Sequence, residues 1–521
     1  NAQSIIQDSF GNIWIGNYRG GIDFISHTQP LFNTITYKTE KYGHNCNKQV
    51  WGLWADNNRQ IWLGGEGELG IYKEGKEIEI IPLNQCRLNK QTHISVIHQD
   101  KHGDLWLGTH KHGVAIYHPD TKRITCIGDD KDGSLDILCF YEDTDGKIWI
   151  GTQSGLYSAY NRELTQEDKI NRLLTNKGIR SILRDKNGKL WIGAKGLFLF
   201  DDKGQLFQEL TTEQSFPIRS VNYLMEDSRK RIWVGTNDGI LVFRDASHLE
   251  DYSHYGTKEG LQNTNVRAIQ EDHDGTIWLS TNAGISRLDE KTKTFYNYNH
   301  YDGVPMGDFM DGSTCISTDG ILYFGSQGGA CYFTPGEVNS IRKPAPVTIT
   351  QFSIYDKQTE SKDTEHPLPL TDANIQLPYN QNTFKISFNV LDYAISSQVE
   401  FSYILEGLEN TWYNTQGEKQ IIFRNIPPGH YTFKVKTRLR NQEWEKDEAT
   451  LHIRITPPFW LSWYAKLIYA LLIILIIYGV SRFYKRKLDL ESSLEVERKQ
   501  SLNKQELNEE RLRFYTNITH E

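Results

Sequence analysis

DTDGKIWIGTQSGL, residues 143–156, is an acidic-Gly turn, a short apolar burst around Trp149 and a second glycine-bearing turn. Nearly the same phrase occurs eight times before residue 335: DSFGNIWIGNYRGG, DNNRQIWLGGEGELG, DKHGDLWLGTHKHG, DTDGKIWIGTQSG, DKNGKLWIGAKG, DSRKRIWVGTNDG, DHDGTIWLSTNAG and a degraded STDGILYFGSQGG. The aromatic anchors are Trp14, Trp62, Trp106, Trp149, Trp191, Trp233, Trp278 and Tyr323, so successive steps are 48, 44, 43, 42, 42, 45 and 45 residues. A period that regular is an array of structural repeats.

Each unit reads as four short strands. Around residues 138–160, LCFYED leads into an Asp-Gly turn, KIWIGT follows, a Gly turn comes next, and LYSAY returns. Asp-Gly and Asn-Gly between apolar runs signal hairpins, and the type I′ turn that these pairs favour needs positive φ at both central residues. Period-2 alternation puts Trp149 on one face and Ile148 and Ile150 on the other, so both faces of the sheet need cover. A four-stranded unit of this length flanked on both sides by its neighbours is a β-propeller blade. A helical repeat would need 3.6-residue periodicity and fewer glycine turns, and the Gly-His and Trp-Asp marks of WD40 repeats are missing. The last copy runs into proline, whereas the first has no closing strand before it. The reading is therefore a seven-bladed propeller over residues 38–335, with residues 1–37 as the last blade of a truncated preceding propeller.

With 521 residues, 38% hydrophobic and 24% charged, the chain is globular and holds several cores. A net charge of -8 gives no basic field for a phosphate backbone, so nucleic acid is not an expected partner. The cysteines at 46, 86, 126, 139, 315 and 331 form no C-x-x-C pair, which argues against structural zinc and for small buried apolar residues. No secretory signal precedes the first strand pattern, so the chain reads as part of something longer.

Residues 344–455 change character. Alternating runs such as NTFKISFNVLDY, VEFSYILEGLENTWY and IPPGHYTFKVKTRL describe an Ig-like β-sandwich, with Tyr403, Trp412, Phe423, Tyr431, Phe433 and Trp444 as its expected core aromatics. The 20 residues 461–480 then carry one charge, Lys466, close enough to the start to snorkel, and read as a transmembrane helix. Trp460, Trp463 and Tyr464 form an interfacial belt at one edge. Arg482, Lys485, Arg486 and Lys487 crowd the other, which places residues 481–521 in the cytoplasm and residues 1–460 outside. Residues 481–516 are helix-forming, with Glu495 and Lys499 at i,i+4, but Leu488, Leu494, Leu502, Leu507 and Leu512 keep no clean heptad.

The ending RLRFYTNITHE resembles the H-box of sensor histidine kinases, through Phe514, Asn517, Ile518, Thr519, His520 and Glu521. The sandwich segments FSYILEGLENTW and IPPGHYTFKVKTR, with Trp444, resemble a Y_Y_Y domain. The order of parts is similar to that of the hybrid two-component sensor histidine kinases of Bacteroides-type bacteria: periplasmic regulator-propeller repeats, Y_Y_Y domain, one span, kinase. The resemblance implies His520 as phospho-acceptor and Glu521 as its acid-base partner. It also implies ATP held by a domain beyond residue 521, a receiver domain in cis or in trans, a homodimer in the inner membrane, and control of genes for glycan use by a periplasmic oligosaccharide. The competing reading is a membrane-anchored propeller that binds or cleaves glycans without signalling.

Ligand residues are harder to choose. The turns after the anchors vary on a fixed scaffold, which is where propellers place recognition. They offer Tyr18 and Arg19 in the first copy, Glu66 and Glu68 in the second, and His110, Lys111 and His112 in the third. Tyr18, Arg19, His110, Lys111 and His112 are the ligand candidates, and no metal site is expected. All 13 tryptophans have a structural place, seven of them as anchors and Trp51 and Trp54 in a strand, which leaves none for a sugar-stacking platform.

Overall fold

A computed structural model describes the chain apart from residues 1, 19, 28–29, 37, 42–43, 48, 75, 77, 86–87, 90, 128–134, 161, 172, 175–176, 202, 213–215, 339–344, 355–363, 368–373, 394, 396–397, 416, 440–442 and 519–521. At 38–41, 44–47, 168–169, 364–367 and 515–518 it describes the backbone alone. Two compact units result, Asn1–Lys343 and Pro344–Glu521.

In the first unit the described residues form seven four-stranded antiparallel sheets. Six are consecutive meanders over 52–82, 94–127, 137–166, 181–210, 221–255 and 266–298. The seventh combines three strands from 309–333 with Asn33–Ile35, whose residues pair with Ala330, Cys331 and Tyr332. Each innermost strand lies against those of both neighbouring sheets, and the seventh lies against the first. The result is a closed seven-bladed propeller whose last blade borrows its outer strand from the chain segment ahead of the first. The expected boundary at residue 38 is therefore corrected, since residues 33–35 belong to the ring. Only long-range pairing reveals this, because Asn-Thr-Ile alone carries no strand pattern. Trp14 stands outside the ring, in a separate three-stranded sheet over 2–25.

Blade-to-blade packing follows the alternation in the repeat. Trp149 packs with Leu190, Ile192 and Phe198 of the fourth blade, while Ile148 and Ile150 pack with Trp106 and Ile116 of the second. The same rule seats Trp62 against the second blade, Trp191 against the fifth, Trp233 against the sixth and Trp278 against the seventh. Tyr323 closes the seam with Ile35, Leu53 and Ile61. Each blade thus buries one apolar face on each neighbour, which is why no blade is stable alone.

The acidic residue opening each copy has a definite task. In all seven Trp copies an aspartate six residues ahead accepts the indole N–H, at 3.0 Å for Asp8–Trp14, 3.1 Å for Asp56–Trp62, 2.9 Å for Asp100–Trp106, 3.2 Å for Asp143–Trp149, 2.8 Å for Asp185–Trp191, 2.9 Å for Asp227–Trp233 and 2.9 Å for Asp272–Trp278. The degraded copy loses both members together. Ser317 replaces the aspartate, Tyr323 the indole, and the serine Oγ accepts the Ile321 amide at 3.2 Å.

The turn differs from the type I′ expectation. Gly146 has φ 83°, but Asp145 before it does not have positive φ, and the Gly146 amide donates to Asp143 O at 2.9 Å. This is a type I turn followed by one left-handed residue, the geometry of a longer hairpin loop. In the fifth blade the left-handed position holds Lys230, at φ 68°. A side chain there costs about 1–2 kcal/mol, less the extra chain entropy that glycine loses on folding. Lys230→Gly is therefore expected to stabilise the fifth blade by roughly 0.5–1 kcal/mol. Hydrogen exchange of the 221–255 amides measures this, and unchanged or faster exchange would contradict it.

In the second unit a four-stranded sheet (Thr364–Pro367, Val347–Ile354, Phe384–Val390, Gln420–Phe423) faces a five-stranded one (Asn374–Leu377, Glu448–Ile455, Gly429–Leu439, Val399–Glu406, Tyr413–Asn414). Phe352, Phe384, Phe388, Phe401, Phe433 and Leu451 fill the space between. Tyr431 donates its hydroxyl to Pro427 O at 2.8 Å, a tyrosine corner of the kind seen in Ig-like sandwiches. Two expected core aromatics lie elsewhere. Trp412 and Trp444 flank Lys436, whose Nζ is 3.9 and 5.9 Å from their ring centroids, and Arg438 stacks on Trp444 at 4.5 Å. Residues 436 and 438 alternate away from the buried face of their strand, and the indoles follow the cations outward.

The sandwich ends at Ile455, and a helix of 56 residues runs from Trp463 to Ile518. Ser462 starts it as N-cap, its Oγ accepting the Ala465 amide at 3.3 Å. The helix therefore begins two residues after the expected Leu461 and continues past Val480 without a break. Among the described residues it is the one helix long and apolar enough to cross a membrane. At 1.5 Å per residue it spans roughly 84 Å, more than twice a hydrocarbon core of about 30 Å.

Candidate functional site

The seven innermost strands form the inner ring, and residues from all of the blades except the sixth line a cavity of about 440 Å³. What stands at the mouth is decided by a repeated irregularity. In the second, third, fifth and sixth blades the innermost strand slips register after its first residue, between Ile94 and Val96, Ile137 and Cys139, Val221 and Tyr223, and Val266 and Ala268. The residues in between, Ser95, Leu138, Asn222 and Arg267, are bulged, and a bulge re-aims its side chain. All four lie 11 positions ahead of their anchors, as do Trp51 and Arg180 in the first and fourth blades. The seventh blade exaggerates the feature. Between the pairs Phe309↔Ser326 and Thr314↔Phe324, Met310 to Ser313 stand opposite Gly325 alone. Gly312, at φ +65°, makes the bend, and Asp311 beside it lines the cavity.

The mouth is two-sided. Blades one to three contribute Trp51, Ser95 and Leu138, and the indole N–H of Trp51 is buried without a hydrogen-bond partner. Blades four to seven contribute a polar network. Asn222, fully buried, accepts Arg180 Nη1 at 2.9 Å, and its Nδ2 lies 2.7 Å from Asn237 Oδ1 and 3.1 Å from Asn265 Oδ1. Arg267 donates Nε to Asn282 Oδ1 at 2.8 Å and Nη1 to Asp311 Oδ1 at 2.7 Å. Asp311 Oδ2 also lies 3.6 Å from Arg180 Nη1. One carboxylate is thus shared by two guanidiniums from different blades.

Also on the cavity wall, the Trp54 and His98 rings meet edge to face at 5.1 Å, and His98 Nε2 meets Glu142 Oε2 at 3.1 Å. Burial holds the imidazole pKa below its ordinary value, although Glu142 pulls the other way. Arg184 donates to Asp143 at 2.8 Å. Burial works to raise the Asp143 carboxyl, but the Trp149 indole, the Thr144 amide and Arg184 outweigh it and hold the pKa below the usual range. Burial raises Glu226.

The residues chosen from the sequence are not brought together here. His110, Lys111 and His112 form the turn after Leu105–Thr109, where His110 Nδ1 lies 3.0 Å from Asp136 Oδ1 and the Lys111 amide donates to the same oxygen at 2.7 Å. Tyr18 is exposed on the separate N-terminal sheet, and Arg19 lies outside the described residues. His520 and Glu521 also lie outside them. Among the described residues no three His, Cys, Asp or Glu side chains converge as metal ligands. The tryptophans need a correction: Trp51 and Trp54, assigned to a strand with no ligand role, both line the cavity, and Trp51 precedes its strand, Gly52–Ala55. The missed signal is the position 11 residues ahead of the anchor, which reads Trp, Ser, Leu, Arg, Asn, Arg and Gly through blades one to seven.

Comparison with known proteins matches residues 133–154, 173–196, 215–238 and 260–283 to the two component regulator propeller family, and residues 392–456 to the Y_Y_Y domain. A curated relative, Histidine kinase P4 of Formosa agariphila, is 28% identical over 266 residues, 50% of this chain and 19% of its own length. A solved structure described as the extracellular domain of a hybrid two component system from B. thetaiotaomicron is 37% identical, with a TM-score of 0.78, over 88% of this chain and 62% of its own. The chain thus spans less than two thirds of each relative.

Proposed function

We propose that this chain, which carries the propeller repeats and Y_Y_Y domain of two-component regulators and resembles their hybrid sensors, is the sensing and membrane-crossing part of a histidine kinase of the inner membrane. The ligand would be a periplasmic oligosaccharide, the output phosphorylation of His520 with ATP bound by another domain, and the purpose transcriptional control of glycan use. One observation carries this reading. A single unbroken helix leads from the interfacial Trp463 and Tyr464 through the apolar segment and the basic cluster at 482–487 to Ile518, two residues before His520. A structure without a break transmits displacement or rotation along its length. A membrane anchor for a passive binding protein would not need its helix to continue so far.

A lone span has little to report except its relation to a second copy, so the working unit is a homodimer whose two helix packings differ in ligand affinity. In membranes containing the full-length protein, γ-labelled ATP is expected to give acid-labile label that changes when oligosaccharides are added. Disulfide cross-linking of Val480→Cys should change in parallel. Absence of acid-labile label under every condition would refute the kinase role, and constant cross-linking under an activating ligand would refute the dimer mechanism.

A further inference from the structure

We propose that the channel mouth binds a carboxylate-bearing sugar, and that Asp311 is a built-in competitor for the two guanidiniums such a ligand would engage. This rests on the sensor reading above and names the ligand class of its propeller.

The mouth combines the elements that a charged saccharide requires. Arg180 and Arg267 supply planar donors suited to a carboxylate. Asn237 and Asn265, bonded to the buried Asn222, and Asn282, bonded to Arg267 and Asn265, offer amides for ring hydroxyls. Trp51, across the mouth, offers an aromatic face, and its buried indole N–H has no acceptor within the protein. The cavity below, about 440 Å³, falls within the usual range for small-molecule sites, roughly 300–1,000 Å³.

Asp311 marks which charge belongs there. It reaches the arginines through the largest bulge in the ring, a departure from the one-residue slip of the other bulged blades. Its two ion pairs are partly exposed, with side chains 39% (Arg180), 22% (Arg267) and 34% (Asp311) accessible. Pairs of that kind contribute little, so exchanging Asp311 for a ligand carboxylate is nearly balanced. Two cations against one anion leave the mouth attractive to a further negative charge. Displacing Asp311 would also release the Met310–Ser313 bulge, giving ligand binding a direct effect on backbone at the ring's closing seam.

The test is calorimetry on the membrane-reconstituted chain with digalacturonic acid, with galactobiose as the neutral counterpart and a sulfated disaccharide as the other anionic source. Digalacturonic acid is expected to bind at least tenfold more tightly than galactobiose. Asp311→Asn should tighten it about fivefold, the change expected from losing a competing, partly exposed ion pair. Arg180→Gln and Arg267→Gln should each weaken it about tenfold or more, and Arg267→Lys, which keeps charge but loses the fork, should fall between. Acid binding that ignores all these substitutions, no acid binding even by Asp311→Asn, or binding of the sulfated sugar alone would overturn the proposal. Tryptophan fluorescence of each variant excludes unfolding as the cause. If a neutral glycan drives His520 labelling while the acid does not bind, the sensor reading stands and this proposal falls. If the acid binds as expected and never alters labelling, the sensing role is what fails.

Discussion

The His520→Gln form of the full-length protein is expected to take up no acid-labile phosphate from γ-labelled ATP while keeping the periplasmic ligand affinity of the parent. The neutral imidazole is the only side chain in FYTNITHE with a ring nitrogen able to attack a phosphoryl group near neutral pH. Glutamine keeps a polar side chain there without that nucleophile. Glu521→Gln is expected to slow labelling rather than abolish it, by about 10²- to 10⁴-fold, because a carboxylate that orients the ring and takes up its proton supplies general acid-base help of that size. Undiminished labelling of the His520 variant would remove the chemistry from this motif while leaving the propeller's binding properties untouched.

The second large effect is structural. Asp227→Ala is expected to destabilise the fifth blade by about 3–5 kcal/mol. The Asp227 side chain is fully buried, and its carboxylate accepts the Arg231 amide at 2.7 Å, Arg231 Nε at 2.6 Å and the Trp233 indole at 2.9 Å. Truncation strands a buried indole donor and leaves a partly buried guanidinium with Glu290 as its ion-pair partner and the Trp233 ring beneath it. Hydrogen exchange of the 221–255 amides reads the loss, and a change below about 1 kcal/mol would show that the pairing is incidental. Asp227→Ser combined with Trp233→Tyr reproduces the Ser317–Tyr323 combination of the seventh blade and should cost less than the sum of the two single changes. The same measurement has a pH dependence at Asp143. Its folded pKa is depressed, so its contribution is complete above the unfolded value, about 3.9, and is lost as pH falls through the folded one. Protection of the third blade should therefore be flat near neutral pH and decline only below about 4.

Much of this architecture was legible without coordinates because it depends on neighbours along the chain. An indole every 42 to 48 residues, an aspartate six positions before it and alternating apolar residues are local statements about strand and turn, and they required a propeller. A 20-residue, predominantly apolar segment with one charge, edged by aromatics and then by four cations, likewise required a span. The choice of ring-closing strand was not local. Asn33–Ile35 pairs with residues almost 300 positions later, and three residues hold no periodicity to announce it. Trp412 and Trp444 looked like core because size and hydrophobicity favour burial, but the strand parity of Lys436 and Arg438 drew them to the outer face.

The channel mouth shows the division most clearly. Arg180, Asn222, Arg267 and Asp311 are separated by more than 40 residues at each step, and each is unremarkable in its own segment. The anchor period determined that equivalent positions in successive blades would meet around one axis. Which of those positions turns inward was decided by bulges, where the ladder slips by one residue in four blades and by more in the seventh. A slip of one residue reverses the facing of a side chain, and the slip lies in the pairing between strands, which no single segment of the sequence displays.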